Sequence, residues 1–118
     1  MPVPSTCTGV LNYATYNDNI ATGGKLLDFT LGIQTLKRHN FQAILDLRTE
    51  SEGAKDEEKA MAQYGMNYVN FPVAGPPTSK QIEQFQNLLQ QLPRPLLVHC
   101  ATGPRATMML DAAQAAAA

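Results

Sequence analysis

No apolar run in the chain approaches the roughly 20 residues that a membrane-crossing helix needs. The N-terminus has no basic segment followed by an apolar block, so a secretory leader is not expected either. Cysteine is scarce. Cys7 and Cys100 are too few for a disulfide framework, and a reactive thiol suits a reducing compartment, so a cytoplasmic location is expected. An excess of either charge is also missing. Nine Lys and Arg against ten Asp and Glu leave a formal net charge of −1, which implies no nucleic-acid and no membrane partner. There is no internal repeat, and no feature specifies an oligomeric state. What remains is 118 residues with 44% hydrophobic composition. That suits one small domain over residues 1–118 with a single core, in which residues 1–9, with two prolines, form a loose lead-in.

The punctuation of the chain predicts alternating elements. Val10–Tyr16 and Ile20–Thr22 read as short strands around the Asn17-Asp18-Asn19 turn. Asp28 caps a helix whose Phe29, Ile33 and Leu36 share one face, with Asn40 as a left-handed stop and His39 as a solvated end residue. Ala43–Leu47 is a buried strand ending at Arg48. Thr49–Gly53 follows as a polar loop. Residues 54–64 form a charged helix with Ala54, Met61 and Tyr64 inward and Lys55–Lys59 as a solvated face. Tyr68, Val69 and Phe71 mark the next strand, and Gly75-Pro76-Pro77 breaks the chain. Thr78 and Gln81 match a capping box that opens a helix lined by Ile82, Phe85, Leu89 and Leu92. After Pro93-Arg94-Pro95 come a strand over Leu96–Val98 and a last helix with Ala106, Met109, Leu110 and Ala113 inward. Such alternation predicts an α/β fold with a mostly parallel central sheet flanked by helices, behind an N-terminal β element. Sites in these sheets collect beyond the strand C-terminal ends, which brings Arg48, the Pro72–Gly75 loop and the Cys100 turn to one edge.

Within this order, His99-Cys100-Ala101-Thr102-Gly103-Pro104-Arg105-Ala106 carries the chemistry. A cysteine after a buried strand, a glycine able to take backbone angles closed to other residues, and a proline suited to the first turn of a helix place the sulfur beneath a helix N-terminus. Free amides and the helix dipole there favour an anion and a thiolate. Arg105 can fold back to grip an oxyanion with its planar fork. A thiolate beneath an anion cradle is an activated nucleophile. A buried structural cysteine with a surface arginine nearby is the plainer account of the same residues.

The turn resembles the active-site loop of cysteine-dependent phosphatases, His-Cys-x5-Arg, but with one residue fewer, since position 106 is alanine and the arginine stands at 105. Cys-x4-Arg is found in rhodanese-like sulfurtransferases and in bacterial phosphatase-like domains described as beta-lactamase-hydrolase-like, whose loop is similar to His-Cys-x-Ser-Gly-x-Arg-Ser. His99, Cys100, Gly103 and Arg105 match the latter pattern, with Thr102 and Ala106 in the serine places. The same bacterial family resembles the chain at Ile20–Gly24, at Ile44-Leu45-Asp46-Leu47-Arg48, at Glu52, at Gly65–Val69 and at Pro72-Val73. Residues 65–75 lack the histidine and the Gly-Ala of a rhodanese. The resemblance implies a dual-specificity-phosphatase-like fold.

It also implies a mechanism. Cys100 would attack phosphorus to form a phosphocysteine. The amides of residues 101–106, from Ala101, Thr102, Gly103 and Ala106 among others, would hold the oxygens with Arg105. His99 would steady the turn and the thiolate, and Thr102 or Thr107 could bond the sulfur. Arg48 would add a second positive charge or form a salt bridge. No cofactor and no metal are called for. The substrate would be a phosphorylated small molecule or a phosphoprotein. Turnover should be slow: the loop is tight, Pro104 removes an amide from it, and the Pro72–Lys80 loop holds no Asp or Glu. A missing general acid forfeits about 100- to 10,000-fold. Two alternatives stay open. One is sulfur transfer through a Cys100 persulfide fed by a sulfane-sulfur donor. The other is a non-catalytic anion- or phosphopeptide-binding module.

Overall fold

A computed structural model describes residues 2–117. The elements run β1 (Ala14–Thr15), β2 (Ile20–Gly23), α1 (Phe29–Arg38), β3 (Ala43–Asp46), α2 (Ala54–Gln63), β4 (Tyr68–Asn70), α3 (Ser79–Gln91), β5 (Leu96–His99) and α4 (Pro104–Ala117), with a short 3-10 turn over Glu50–Glu52. The five strands lie in the order β1-β2-β5-β3-β4. β1 is antiparallel to β2, and the other pairings are parallel. This is the expected α/β architecture. The N-terminal strand is shorter than its sequence suggests: its ladder register with β2 covers Ala14 and Thr15, and at Tyr16 the chain already turns back on the Ile20 carbonyl.

β5 enters last and lies between β2 and β3, so it is paired on both edges and covered on both faces. All four of its residues are buried. That explains an unbroken apolar run where an exposed sheet would show alternation. One core layer joins Phe85 of α3 and Ala106, Met109 and Leu110 of α4 to Leu45, Leu47, Leu96, Val98 and Cys100. The opposite layer joins Ile33 and Leu36 of α1 and Met61 of α2 to Ile44 and Leu97. Side chains that alternate along a strand thus belong to different layers.

Local chemistry places the helices. Asp28 accepts the Leu31 amide at 2.9 Å to start α1. Thr78 and Gln81 form the reciprocal capping box of α3, which satisfies two orphan amides. Asn40 adopts a φ of 64° after α1, a left-handed conformation that asparagine tolerates. The segment before β1 lies against the body: Val3 donates its amide to the Asp18 carbonyl, and Cys7 is buried.

Among the described residues, no helix is long and apolar enough to cross a membrane.

Candidate active site

Cys100 follows the last residue of β5. Its amide donates to the Gly23 carbonyl of the neighbouring strand at 3.1 Å. Gly103 then takes a φ of 115°, a backbone state that side chains resist, and α4 starts at Pro104, where the missing amide has no helical acceptor to lose. The reversal folds the turn back on the sulfur, and Gly103 donates its amide to Cys100 Sγ at 3.0 Å. The sulfur lies in the apolar layer that contains Leu47, Val73 and Ala106, and Cys100 is only 1% exposed. Among the described residues, the amides of Ala101, Thr102 and Arg105 meet no protein acceptor. Those of Ala106 and Thr107 turn to the Gly103 carbonyl as the helix begins. The Thr102 and Thr107 side chains are not sulfur partners.

Arg105 does fold back across the turn. Its Nη1 reaches the Leu47 carbonyl at 3.1 Å and Glu52 Oε1 at 3.0 Å, and its Nη2 reaches Glu52 Oε2 at 2.9 Å. Glu52 is itself held, because its Oε1 accepts the Thr49 amide at 2.9 Å. The paired fork of Arg105 drops the Glu52 carboxyl to about 2, helped by the Thr49 amide and opposed by partial burial. The same pairing raises Arg105, which also gains from the nearby Cys100 sulfur. Glu52 is therefore ionised at neutral pH and holds no proton to donate to a leaving group.

Arg48 and His99 lie on the other side of the sheet. Residues 46 and 48 share the face opposite to 45 and 47, and His99 faces away from Cys100 by the same alternation. Arg48 is buried and pairs with Asp46 at 3.1 Å and Glu57 at 2.8 Å. It also donates to the Glu52 carbonyl at 3.1 Å. His99 Nε2 meets Glu57 Oε2, and its Nδ1 lies 3.4 Å from the Cys100 carbonyl. The Tyr68 hydroxyl donates to Asp46 Oδ2 and Ala54 O. Burial alone would discharge His99, but the Glu57 hydrogen bond and the charges of Glu57 and Asp46 outweigh it and raise its pKa. Arg48 and His99 thus meet Asp46 and Glu57 inside a buried cluster of paired polar groups. Arg48 accordingly takes the salt-bridge role: its charge is neutralised inside the protein, away from the sulfur.

Glu57 corrects the expectation of a wholly solvated charge run over Lys55–Lys59, since it is completely buried. Its spacing from Ala54 and Met61, three and four residues, already puts it on the inward stripe of α2. Asp46, Glu57 and His99 bring ligand atoms within 4.8 Å of one another. Arg48 and Tyr68 already fill the carboxylate positions that a metal ion would use, so the cluster is built as an ion-pair network.

The turn is also fastened from the β2 side. The Lys25 amide donates to the Ala101 carbonyl at 3.0 Å, and Asn12 Nδ2 donates to the Thr102 carbonyl at 2.9 Å. A Cβ on Gly24 would stand 2.7 Å from the Ala101 carbonyl oxygen and 3.0 Å from Thr102 Cα, so only glycine permits this approach. Outside the turn, Gly75, Pro76, Pro77, Pro104, Arg105 and Met108 line a depression of about 450 Å³. Arg105 is its one cation.

Comparison with known structures supports the fold. A candidate phosphatase of the DUF442 group from Shewanella putrefaciens CN-32 superposes with a TM-score of 0.79 at 24% identity, over 90% of this chain and 69% of its own. A candidate phosphatase from Neisseria meningitidis Z2491 gives 0.69 at 18% identity, over 80% and 70%. The core catalytic domain of the PP-IP phosphatase SIW14 from S. cerevisiae gives 0.58 at 17% identity, over 82% and 60%. No curated protein matches the chain. The family model for the DSP-PTPase phosphatase fused to NAD+ kinase matches residues 11–114. That match spans most of the chain, which therefore belongs to the family of DSP-PTPase phosphatase domains fused to NAD+ kinase.

Proposed function

We propose that the chain hydrolyses phosphomonoesters through a phosphocysteine on Cys100. The carrying observation is the 3.0 Å hydrogen bond from the Gly103 amide to Cys100 Sγ beneath the first turn of α4, with the Arg105 fork fixed alongside by Glu52. An amide donor and a helix N-terminus both turn partial positive charge toward the reacting centre. The thiolate attacks phosphorus, and the bond from phosphorus to the ester oxygen breaks. The Ala101, Thr102 and Arg105 amides with the Arg105 guanidinium stabilise the charge that gathers on the phosphoryl oxygens. Water then cleaves the sulfur–phosphorus bond, releasing inorganic phosphate and restoring the thiolate.

The leaving oxygen receives no help from a carboxylic acid. Glu52 is ionised, Asp46 and Glu57 are sealed on the opposite face of the sheet, and the Pro72–Lys80 loop has no acidic residue. Aryl phosphates, whose phenolate leaves without a proton, are thus the favoured substrates, and alkyl esters lose a factor of about 100 to 10,000. The apolar walls of Pro76, Pro77, Pro104 and Met108 suit a ring beside a single phosphate. One cation, already matched by Glu52, suits a polyphosphate poorly.

The test incubates the protein with p-nitrophenyl phosphate and, separately, with thiosulfate plus cyanide. Release of nitrophenol that disappears in Cys100→Ser is expected. Thiocyanate without nitrophenol would replace this reading with sulfur transfer. Oxyanion binding with neither product would leave a binding module.

A further inference from the structure

The anion cradle contains no side chain that turns its amides inward, and the orientation of those amides has to come from elsewhere. In a planar trans peptide the carbonyl of one residue and the amide of the next point in opposite directions. The Ala101 carbonyl is drawn outward by the Lys25 amide at 3.0 Å, so the Thr102 amide faces the other way, into the turn. The Thr102 carbonyl is drawn outward by Asn12 Nδ2 at 2.9 Å, so the Gly103 amide faces inward, and it is this amide that reaches Cys100 Sγ at 3.0 Å. Two anchors outside the turn therefore set two donors inside it.

Lys25 acts through its backbone amide and not through its side chain. Asn12 acts through its side chain. We infer that Asn12 is a positioning residue of the anion cradle: its carboxamide holds the Thr102–Gly103 peptide so that the Gly103 amide points at the sulfur and the turn keeps its free amides open to an incoming oxyanion. The backbone conformation of Asn12 also suits this residue type. It has a φ of 53°, a left-handed state that asparagine accepts more readily than most residues. Asn12 is exposed and fills no part of the core. The acceptor is a carbonyl, so only the amino end of the carboxamide satisfies it.

The inference rests on the reading of this turn as an oxyanion site. Its test measures binding of tungstate, a non-covalent oxyanion, by calorimetry, together with kcat/KM for p-nitrophenyl phosphate and thermal unfolding. Asn12→Gly keeps the left-handed backbone and removes the donor. Asn12→Asp keeps shape and backbone and replaces the donor with an anionic acceptor facing a carbonyl. One hydrogen bond of ordinary strength corresponds to roughly a threefold to tenfold change. Asn12→Gly should weaken tungstate binding and lower kcat/KM by about that factor in parallel, with the unfolding midpoint moved by only a few degrees, and Asn12→Asp should lose more. Tungstate affinity within twofold of the unaltered protein in both variants would overturn the inference. So would no tungstate binding by the unaltered protein, because no cradle would then exist to be positioned. Tungstate binding that depends on Asn12 in a protein without Cys100-dependent turnover would sustain the inference and remove the proposed hydrolysis instead.

Discussion

Glu57→Gln is the sharpest perturbation of the scaffold. The exchange keeps the volume and removes one charge from a cluster that is wholly enclosed. Glu57 pairs with Arg48 at 2.8 Å and with His99 through its other oxygen, so its loss leaves the Arg48 guanidinium and the His99 ring facing Asp46 alone. Removing one partner of a buried ion pair costs about 3–5 kcal/mol, because the remaining charge is stranded away from water. A chain of 118 residues has a total stability of roughly 6–18 kcal/mol at about 0.05–0.15 kcal/mol per residue. One substitution thus consumes a large share of it. With an unfolding entropy near 2.1 cal/mol/K per residue, 118 residues give about 0.25 kcal/mol/K. The expected fall in Tm is then about 12–20 °C.

The same variant carries a second signature. The His99 pKa is raised in the folded protein. Its contribution to stability is therefore complete below the free imidazole value, near 6.5, and is lost as pH rises through the higher folded value. The unaltered protein should lose stability on the alkaline side, and Glu57→Gln should show a flatter decline, since His99 has lost its main partner. Urea unfolding followed by circular dichroism between pH 6 and pH 9 measures both effects. A stability loss under about 1 kcal/mol, or an alkaline slope identical in the two proteins, would refute the ion-pair account of this cluster.

Other expectations concern the turn and its clamp. Arg105→Lys keeps the charge and loses the fork that meets Glu52 in two bonds; kcat/KM for p-nitrophenyl phosphate should fall about 100- to 1,000-fold, with little change in the unfolding midpoint. The Glu52 carboxyl sits at about 2 in the folded chain. Its stabilisation is present above the ordinary carboxylate range and is lost as pH falls toward 2, so acid unfolding of Glu52→Gln should lack part of the slope between about pH 4.5 and pH 2 that the unaltered protein shows. Gly24→Ala drives a Cβ to 2.7 Å from the Ala101 carbonyl oxygen. Because backbone must move on both sides, a loss of about 1–3 kcal/mol in stability should accompany at least a tenfold drop in turnover, read by thermal unfolding and by the nitrophenol assay.

Much of the architecture was legible in local patterns. Leu96–Val98 declares a strand covered on both faces, Thr78 and Gln81 declare a helix start, and Gly103-Pro104 declares a turn into a helix. These signals depend on backbone preferences and on periodicity, which neighbours in the chain impose on one another. The charged helix was harder. Lys55–Lys59 has the composition of a solvated face, yet the spacing of Glu57 from Ala54 and Met61 already marked it as inward. His99 and Arg48 were readable by parity: residues one apart on a strand face opposite layers, which separates His99 from Cys100 and groups Arg48 with Asp46.

The order of residues alone determined that a thiol would stand at a strand-to-helix turn with an arginine in the first turn of the helix, because glycine, proline and an apolar strand leave the backbone few other courses. Only the tertiary structure decided what those groups meet. Glu52 clamps Arg105 from 53 positions away, Asn12 holds the Thr102 carbonyl across 90, and Glu57 joins His99 across 42. Contacts of that span arise when β5 inserts between β2 and β3, and sheet order is set by the packing of the whole chain, not by the preferences of any one segment.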